Sequence, residues 1–507
     1  MTHYHPLLKK EKDMISTVHK ILPKEIAKSI CQTGSRLAHL YGLLKTHKEK
    51  LSMRLILSAT GTYNYKLAQW LDEKLKPLSQ NAYTIDDVFS FAADIRSTVI
   101  NASDILVSYD VSSLFTNVPL TETIQIIADK AFTNNWFNDD YGLNLDKDDL
   151  IVLLNIATKD QLFQFNGNLY EQVDGVAMGS HLGPLMANVF MCHIEERLES
   201  TNHMPKYYKR ILFMPNLEAA NECLALLNTT HPAIAFTMET AVNNSIPFLG
   251  MLITKDLEKL HTRVYRKPTD TGLLLHYNTH VDNKYKRSLV ITMFNRAYKL
   301  PSTHQLFNDE CEILRKIFKR LKYPDELITT TIQNVKPAES NNNTAEGETD
   351  LSEIPVRIIL PFKDQKSANS VKRQLCQLSH KINKNIVPVF ISKKVKDNIR
   401  KVEKKPTIIS QQCVVYKFKC DLCDASYVGY TCRHLYQRIV EHSRYLIGQH
   451  LKDHNVIVNP SKINSCFSIL RKCKNQFDCL IYEMLYIRQL KPSLNKQSDS
   501  VKAKLFI

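Results

Sequence analysis

The sequence predicts a mixed α/β (α+β) protein of several domains. Three observations predict it. The chain has 507 residues, and domains run to about 150 residues each, so more than one is expected. Runs with helical periodicity alternate with short strand-like runs through the first two thirds. A stretch at 337–354, rich in Glu, Asn and Thr and nearly free of apolar residues, then interrupts the pattern. The divisions that follow are 1–333, an acidic linker at 334–354, a basic connector at 355–410, and a cysteine-rich block at 411–507.

In the first division, Asn64–Lys74, Lys286–Tyr298 and Asp309–Leu321 read as helices. Met53–Ser58, Ile105–Tyr109 and Ala233–Phe236 read as strands. Within the linker, residues 337–354 carry Glu339, Glu346, Glu348, Asp350 and Glu353 without one base, a composition that stays solvated. In the connector, Val356–Phe362 reads as a strand, Lys366–Ile382 as a helix and Ile386–Ile391 as a second strand. Residues 361–410 hold 13 Lys and Arg against 3 Asp and Glu, a surplus of +10. Either a solvated face or a surface that tracks a phosphate backbone fits that surplus, and the charge of the whole chain favours the second.

Composition excludes several classes. Apolar residues make up 44% and charged residues 23%, which is globular usage, so the chain is not disordered throughout. The net charge of +16 points to a polyanionic partner, DNA or RNA, more than to a membrane surface. No glycine-rich dinucleotide or nucleoside triphosphate loop occurs, and no small-molecule substrate suggests itself. The polar start Met1–Lys10 lacks the apolar core of a signal peptide, and apolar runs such as Leu150–Ile156 are too short to span a bilayer. An intracellular protein of the nucleus or cytoplasm is expected. Its 12 cysteines then read as free thiols, or as metal ligands where they cluster.

Five blocks of the first division stand out. They are Tyr41–Lys48 with Met53–Ser58, Ser108–Pro119, Asp174–Asn188, Pro247–Leu249 and Tyr265–Thr269. Asp110 ends an apolar strand run, the place where a polymerase holds a carboxylate for paired Mg²⁺. Gly179 and Ser180 make a turn that lets backbone approach closely. Lys45, Lys48 and Arg54 are cations suited to phosphates. In this order the blocks resemble the reverse transcriptase of Penelope-like retroelements, over about residues 40–320. The resemblance implies a right-hand palm, fingers and thumb. It also implies that Asp110 binds metal and that Phe115 packs under the incoming sugar. Lys45, Lys48, Arg54, Gly179 and Ser180 would then contact the nucleic acid.

One departure bears on activity. The family follows Tyr-Lys-Arg with a Tyr-x-Asp-Asp hairpin. Here Tyr208-Lys209-Arg210 runs straight into Ile211-Leu212-Phe213. His181 replaces a family proline and Gly250 a frequent aspartate. RNA-directed DNA polymerase activity is therefore not expected, and loss of a central hairpin is expected to damage the sheet around Asp110. Decay of the element and a shortened gene reading leave the same sequence.

The last block carries Val414-Val415-Tyr416, Tyr427-Val428-Gly429 and Arg438-Ile439-Val440-Glu441-His442. Glu483 follows in an apolar helix, then Asn495. Tyr416 and Tyr427 suit a hairpin, and Arg438 and His442 share a helix face. This set resembles the GIY-YIG endonuclease fused to Penelope-like reverse transcriptases. The resemblance implies a small α/β nuclease domain that cleaves DNA with Mg²⁺ or Mn²⁺. Glu483 would hold the metal, and Tyr416 or Tyr427 would orient or deprotonate water. Arg438 would answer phosphate charge. His442 would assist proton transfer or phosphate binding, and Asn495 would face nucleic acid. Cys420-x-x-Cys423 and His450-x-x-x-His454 suit a structural zinc, with Cys413, Cys432, Cys466, Cys473 and Cys479 as competing ligands. The alternative is a decayed copy that only binds nucleic acid.

Overall fold

The computed structural model describes residues 6–31, 35–45, 52–165, 168–173, 175–201, 208, 211–335, 355–392, 411–455, 464–473 and 476–495. Helices Pro6–Ile21 and Lys24–Ile30 precede a four-stranded sheet. Its strands are β1 (Ala38–Lys45), β2 (Ser52–Ser58), β4 (Leu162–Phe165) and β5 (Asn168–Glu171), in the order β2-β1-β4-β5. β1 and β2 form an antiparallel pair with Leu43 opposite Arg54, and β1 runs parallel to β4.

The second sheet has β3 (Ile105–Val111) between β6 (Ile211–Met214) and β7 (Phe236–Thr240), antiparallel to both. Successive strand residues point to opposite faces, so β3 serves two cores. Val107 joins the large one, with helices Leu120–Phe132, Lys147–Thr158 and Leu182–Ser200. Leu106 joins a smaller one, built from helix Val88–Ser97 and the antiparallel strands β8 (Ser245–Phe248), β9 (Met251–Asp256) and β10 (Lys259–Val264).

Three helices, Asn283–Lys299, His304–Arg320 and Asp325–Val335, enclose a separate core of Val290, Phe294, Leu314, Phe318 and Ile328. Asp282 and Thr303 cap the first two through their side chains, satisfying amides that the helices leave open. The connector is a βαβ unit. Parallel strands β11 (Val356–Pro361) and β12 (Ile386–Ile391) flank helix Gln365–Ile382. It sits on the start of helix Asn283–Lys299, where Lys372 pairs with the buried Asp282 at 2.7 Å and the Tyr285 hydroxyl donates to the Phe390 carbonyl at 3.2 Å. The last unit is the sheet β14-β13-β15, from β13 (Val414–Lys419), β14 (Ser426–Thr431) and β15 (Phe467–Lys472). Helices Leu435–His442, Leu446–Asp453 and Gln476–Leu490 accompany it.

Three expectations are corrected. Ala233–Phe236 is strand only at its last residue. The Ile234 amide donates to the His231 carbonyl, and the His231 ring accepts from the Ala233 amide, so β7 begins only at Phe236. The sheet around Asp110 is also not broken: β6 takes one edge of β3, with Ile105 opposite Met214 and Ser108 opposite Ile211. A strand contributes to a sheet through its own ladder, so β6 needs no hairpin partner to occupy that edge. Asn334 and Val335, assigned to the linker, close helix Asp325–Val335. The rest of the linker and residues 393–410 lie outside the described residues. No helix among the described residues is long and apolar enough to cross a membrane.

Candidate functional site

The front blocks converge through backbone. The Leu57 amide on β2 donates to the Met178 carbonyl at 2.8 Å, and the Val176 amide donates to the Phe115 carbonyl at 2.7 Å. Segment 175–180 is thereby threaded between β2 and the turn after β3. Gly179 has φ +122° and lies against β2, where a Cβ would stand 2.5 Å from the Leu57 carbonyl oxygen. Only glycine meets both demands. Phe115 is half-buried and joins the large core. Its ring would lie 3.4 Å from a Cβ at Gly183, on the helix after the turn.

The chemistry at this junction is sparse. Asp110 ends β3 exposed, and its carboxylate accepts the Val111 amide at 3.0 Å. Among the described residues it belongs to no converging group of three metal ligands. Arg54 is exposed on the β1–β2 pair and Ser180 is half-buried beside Gly179. Lys45 lies on β1 with its side chain outside the described residues, as is all of Lys48. Tyr208 is buried, its hydroxyl donating to Glu195 at 3.3 Å. Lys209 and Arg210 lie outside the described residues.

The C-terminal unit is built differently. Strand β13 places Tyr416 opposite Gly429 of β14, and Phe418 opposite Tyr427. A Cβ on Gly429 would lie 2.6 Å from the Tyr416 hydroxyl and 2.7 Å from the Tyr427 ring. The glycine is what admits both phenols to one face. Helix Leu435–His442 brings in Arg438 and His442, one turn apart. The Tyr416 hydroxyl lies 2.6 Å from His442 Nε2, and Arg438 Nε donates to the same oxygen at 3.2 Å. Tyr427 packs edge-on against the His442 ring at 5.0 Å, and Phe467 of β15 stacks on its other side.

Burial sets the charges in this group. Tyr416 is fully buried, and desolvation pushes its phenol well above the usual range; Arg438 pulls it back, while Tyr427 and Glu483 add to the rise. Tyr427 is half-buried and is raised for the same leading reason, with Glu483 again adding to it. Desolvation, then the Arg438 charge, pushes His442 down to about 4. His442 is therefore neutral at pH 7, and its Nε2 shares a hydrogen bond with the Tyr416 hydroxyl. Burial works against the Arg438 charge, but Tyr416 and Glu441 outweigh it and keep the guanidinium firmly protonated.

Glu483 projects from helix Gln476–Leu490 and is 8% exposed. Its charge reaches both tyrosines. An open cleft of about 290 Å³ beside the group is lined by Arg433, Arg438, Cys432 and Gln476. Glu441 escaped the sequence reading, although it stands three residues from Arg438 on a helix. It accepts from Arg438 at 2.8 Å and from Arg433 at 2.5 Å, holding both guanidinia at this cleft. Asn495 is half-buried and bonded to the backbone of β14. Its carbonyl accepts the Val428 amide and its amide donates to the Val428 carbonyl, each at 2.8 Å. It clamps β14 between the two tyrosine-bearing positions.

A second constellation sits at the far end of the hairpin. Cys420 and Cys423 lie in the turn after β13, where the Cys420 amide donates to the Ala425 carbonyl at 2.9 Å. Helix Leu446–Asp453 and the residue after it supply His450 and His454. One ligand atom from each of the four lies within 4.8 Å of all the others, and Cys423 Sγ is 3.4 Å from His450 Nε2. Two thiols and two imidazoles so arranged suit a four-coordinate metal ion.

Comparison with known proteins gives one family match: a model described as an animal helix-turn-helix domain fits residues 273–333, the three-helix segment. No curated protein matches the chain. Among solved structures, the chain is similar to a telomerase from Candida albicans in complex with a fragment of telomeric RNA. The identity is 12% and the TM-score 0.40, over 64% of this chain and 58% of that one. It is also similar to the RNA-dependent RNA polymerase of a human picobirnavirus, at 12% identity and TM-score 0.37, over 64% of this chain and 74% of that one. The chain thus spans little more than half the length of the telomerase it matches.

Proposed function

We propose that the chain is a retroelement-derived protein of the Penelope-like type. On this reading a reverse-transcriptase-like body has lost polymerase chemistry, and residues 411–507 form a metal-dependent GIY-YIG DNA endonuclease. The observation that carries the proposal is the single group made by Tyr416, His442 and Arg438, with Glu483 acting on it. A hard divalent cation suits the buried Glu483 carboxylate, whose charge reaches two phenols and pushes them toward neutrality. Bound there, Mg²⁺ or Mn²⁺ would polarise the phosphodiester and acidify water.

The chain's own residues do the rest. With neutral His442 accepting a hydrogen bond from the Tyr416 hydroxyl at Nε2, the Tyr416 oxygen is left to accept from Arg438 Nε. That bond and the Glu441 pair fix the guanidinium at the cleft, aimed where charge builds on a pentavalent phosphate. Of the two phenols, Tyr427 is the one with solvent access, so it is the one to orient water; Tyr416 holds the frame. A neutral His442 cannot serve as a phosphate cation, which leaves it a proton-handling and positioning role. Cys420, Cys423, His450 and His454 would hold a structural zinc that ties the turn of the hairpin to helix Leu446–Asp453.

The front body binds rather than polymerises on this reading. Asp110 belongs to no converging group of three possible metal ligands among the described residues. The helix-turn-helix match and the +16 charge support binding to DNA or RNA. The same two observations favour a second reading, in which the chain only binds nucleic acid. Nicking of supercoiled plasmid with Mg²⁺ or Mn²⁺, by wild type and by Glu483→Ala, separates the two. The enzyme reading requires metal-dependent nicking that the variant loses.

A further inference from the structure

Four cysteines outside both constellations meet at the other end of the tyrosine hairpin. In the ladders, Val414 pairs with Thr431 on one side and with Lys472 on the other. One step further along lie Cys413, Cys432 and Cys473, side by side across three strands. The Cys473 amide donates to the Cys413 carbonyl at 2.7 Å, which locks that register. Residues opposite one another in neighbouring strands present side chains to the same face. Helix Gln476–Leu490 covers this face and adds Cys479. All four sulfurs pack in one small core with Val415, Val428 and Ile487.

Cys413 has φ +49°, a left-handed conformation uncommon for a residue with a Cβ. Its Sγ donates to the Cys432 carbonyl oxygen at 3.8 Å, and Cys479 packs in the same small core. Cys413 and Cys432 are half-buried, whereas Cys473 and Cys479 are buried. Cys432 also lines the open cleft, so a small solute can reach the edge of the cluster. None of the four is in a disulfide.

We propose that Cys413 is an oxidant-reactive thiol that hydroperoxides convert to a reversible disulfide with Cys479. The Cys413 thiolate attacks one peroxide oxygen, and the O–O bond breaks. The departing oxygen takes up a proton and leaves as water or alcohol, with Cys413 now a sulfenic acid. Cys479 sulfur attacks the Cys413 sulfur, the S–S bond forms and the S–O bond breaks, and hydroxide leaves with the Cys479 proton as a second water. Two thiols are oxidised by two electrons and one peroxide is reduced. The chemistry of the pair suits these roles. The hydrogen bond from Cys479 is the largest influence on Cys413, overcomes the effect of burial and brings its pKa down to about 6. Cys479 is buried behind the half-buried Cys413, which leaves it the thiol that resolves.

The bond would tie the strand that carries Tyr416 to the helix that carries Glu483, one turn beyond Cys479. The inference itself rests on strand register and not on the nuclease reading, so the two can fail separately. The test uses the full reduced chain. Iodoacetamide at pH 7 should label Cys413 about tenfold faster than the exposed Cys376. Graded hydrogen peroxide, alkylation and non-reducing peptide mapping should yield a Cys413–Cys479 cross-link that dithiothreitol reverses and Cys413→Ser abolishes. Labelling of Cys413 no faster than Cys376 would overturn the proposal, as would peroxide cross-links that omit Cys413. A second equivalent of bound zinc, lost in Cys413→Ser/Cys479→Ser, would overturn it in favour of a tetrathiolate metal site.

Discussion

The junction around Asp110 and the hairpin around Tyr416 are both places where distant parts of the chain meet, but they are held together by different means. At Asp110 the meeting is made by backbone: β2 to Met178, Phe115 to Val176, and Gly179 against β2. At Tyr416 it is made by polar side chains, with the phenol, imidazole and guanidinium in one hydrogen-bonded group. The difference shows that a scaffold and its chemistry are separable. Apolar burial and strand ladders keep the first region folded around an exposed carboxylate. The second region commits a buried acid, a buried histidine and a fully buried tyrosine to one place. Such groups cost stability unless each finds a partner, so their convergence signals chemistry more strongly than a preserved fold does.

The largest break in this comparison comes from the metal ligands. The C-terminal unit is small, and structural zinc contributes about 10–16 kcal/mol in comparable small modules. Chelation, or Cys420→Ser/Cys423→Ser, should release about one zinc per chain and unfold residues 411–495. The large core around Val107 should stay folded. Elemental analysis with hydrogen–deuterium exchange reads both; full protection of β13 after zinc removal would refute the expectation.

Next in size is the cut. Arg438→Ala and Glu483→Ala should each lower nicking by about 100- to 1000-fold while leaving DNA binding within a few fold, because both act as the transition state forms. Asp110→Ala should leave nicking unchanged, and neither wild type nor variant should extend a DNA primer on RNA. Primer extension that Asp110→Asn abolishes would restore polymerase chemistry to the front body.

A smaller effect separates the two regions by pH. The His442 site holds its proton affinity down near pH 4, against 6.5 for an open histidine. Below pH 6.5 the unfolded chain takes up a proton that the folded site refuses. Stability of the C-terminal unit should therefore be full above pH 6.5 and fall toward pH 4, by up to about 3 kcal/mol. Exchange protection of β13 and β14, corrected for intrinsic rates, should show this loss. His442→Gln should remove it while keeping whatever the zinc ligands contribute. An unchanged slope in that variant would place the acid sensitivity elsewhere.

The smallest expected effect concerns Asn495. Asn495→Ala removes two hydrogen bonds to Val428 and should destabilise the unit by about 1–3 kcal/mol. DNA affinity should not change if the amide serves only β14. A loss of affinity without loss of stability would return Asn495 to the nucleic-acid surface.

Much of this arrangement was legible in the residues. Helix Gln365–Ile382 differs from its sequence-read bounds by one residue, and strand Ile386–Ile391 by none, because apolar periodicity and capping act locally. The Cys420, Cys423, His450 and His454 group was legible as well, since ligand spacing in a turn and on one helix face survives folding. Ala233–Phe236 was misread because a His231 ring bonded to the next turn leaves no trace in an apolar pattern.

What the sequence determined by itself, then, was the element order, the charge surplus, the absence of Asp-Asp after Tyr208 and the set of residues available for chemistry. Tertiary structure alone decided which of them meet. It turned Asn495 inward, recruited Glu441 to hold Arg438, and placed Cys413 beside Cys479, 66 positions away in the chain. It also made His442 neutral, because a proton's affinity depends on burial and neighbouring charge, and neither exists until strands and helices from distant parts of the chain have closed around the ring.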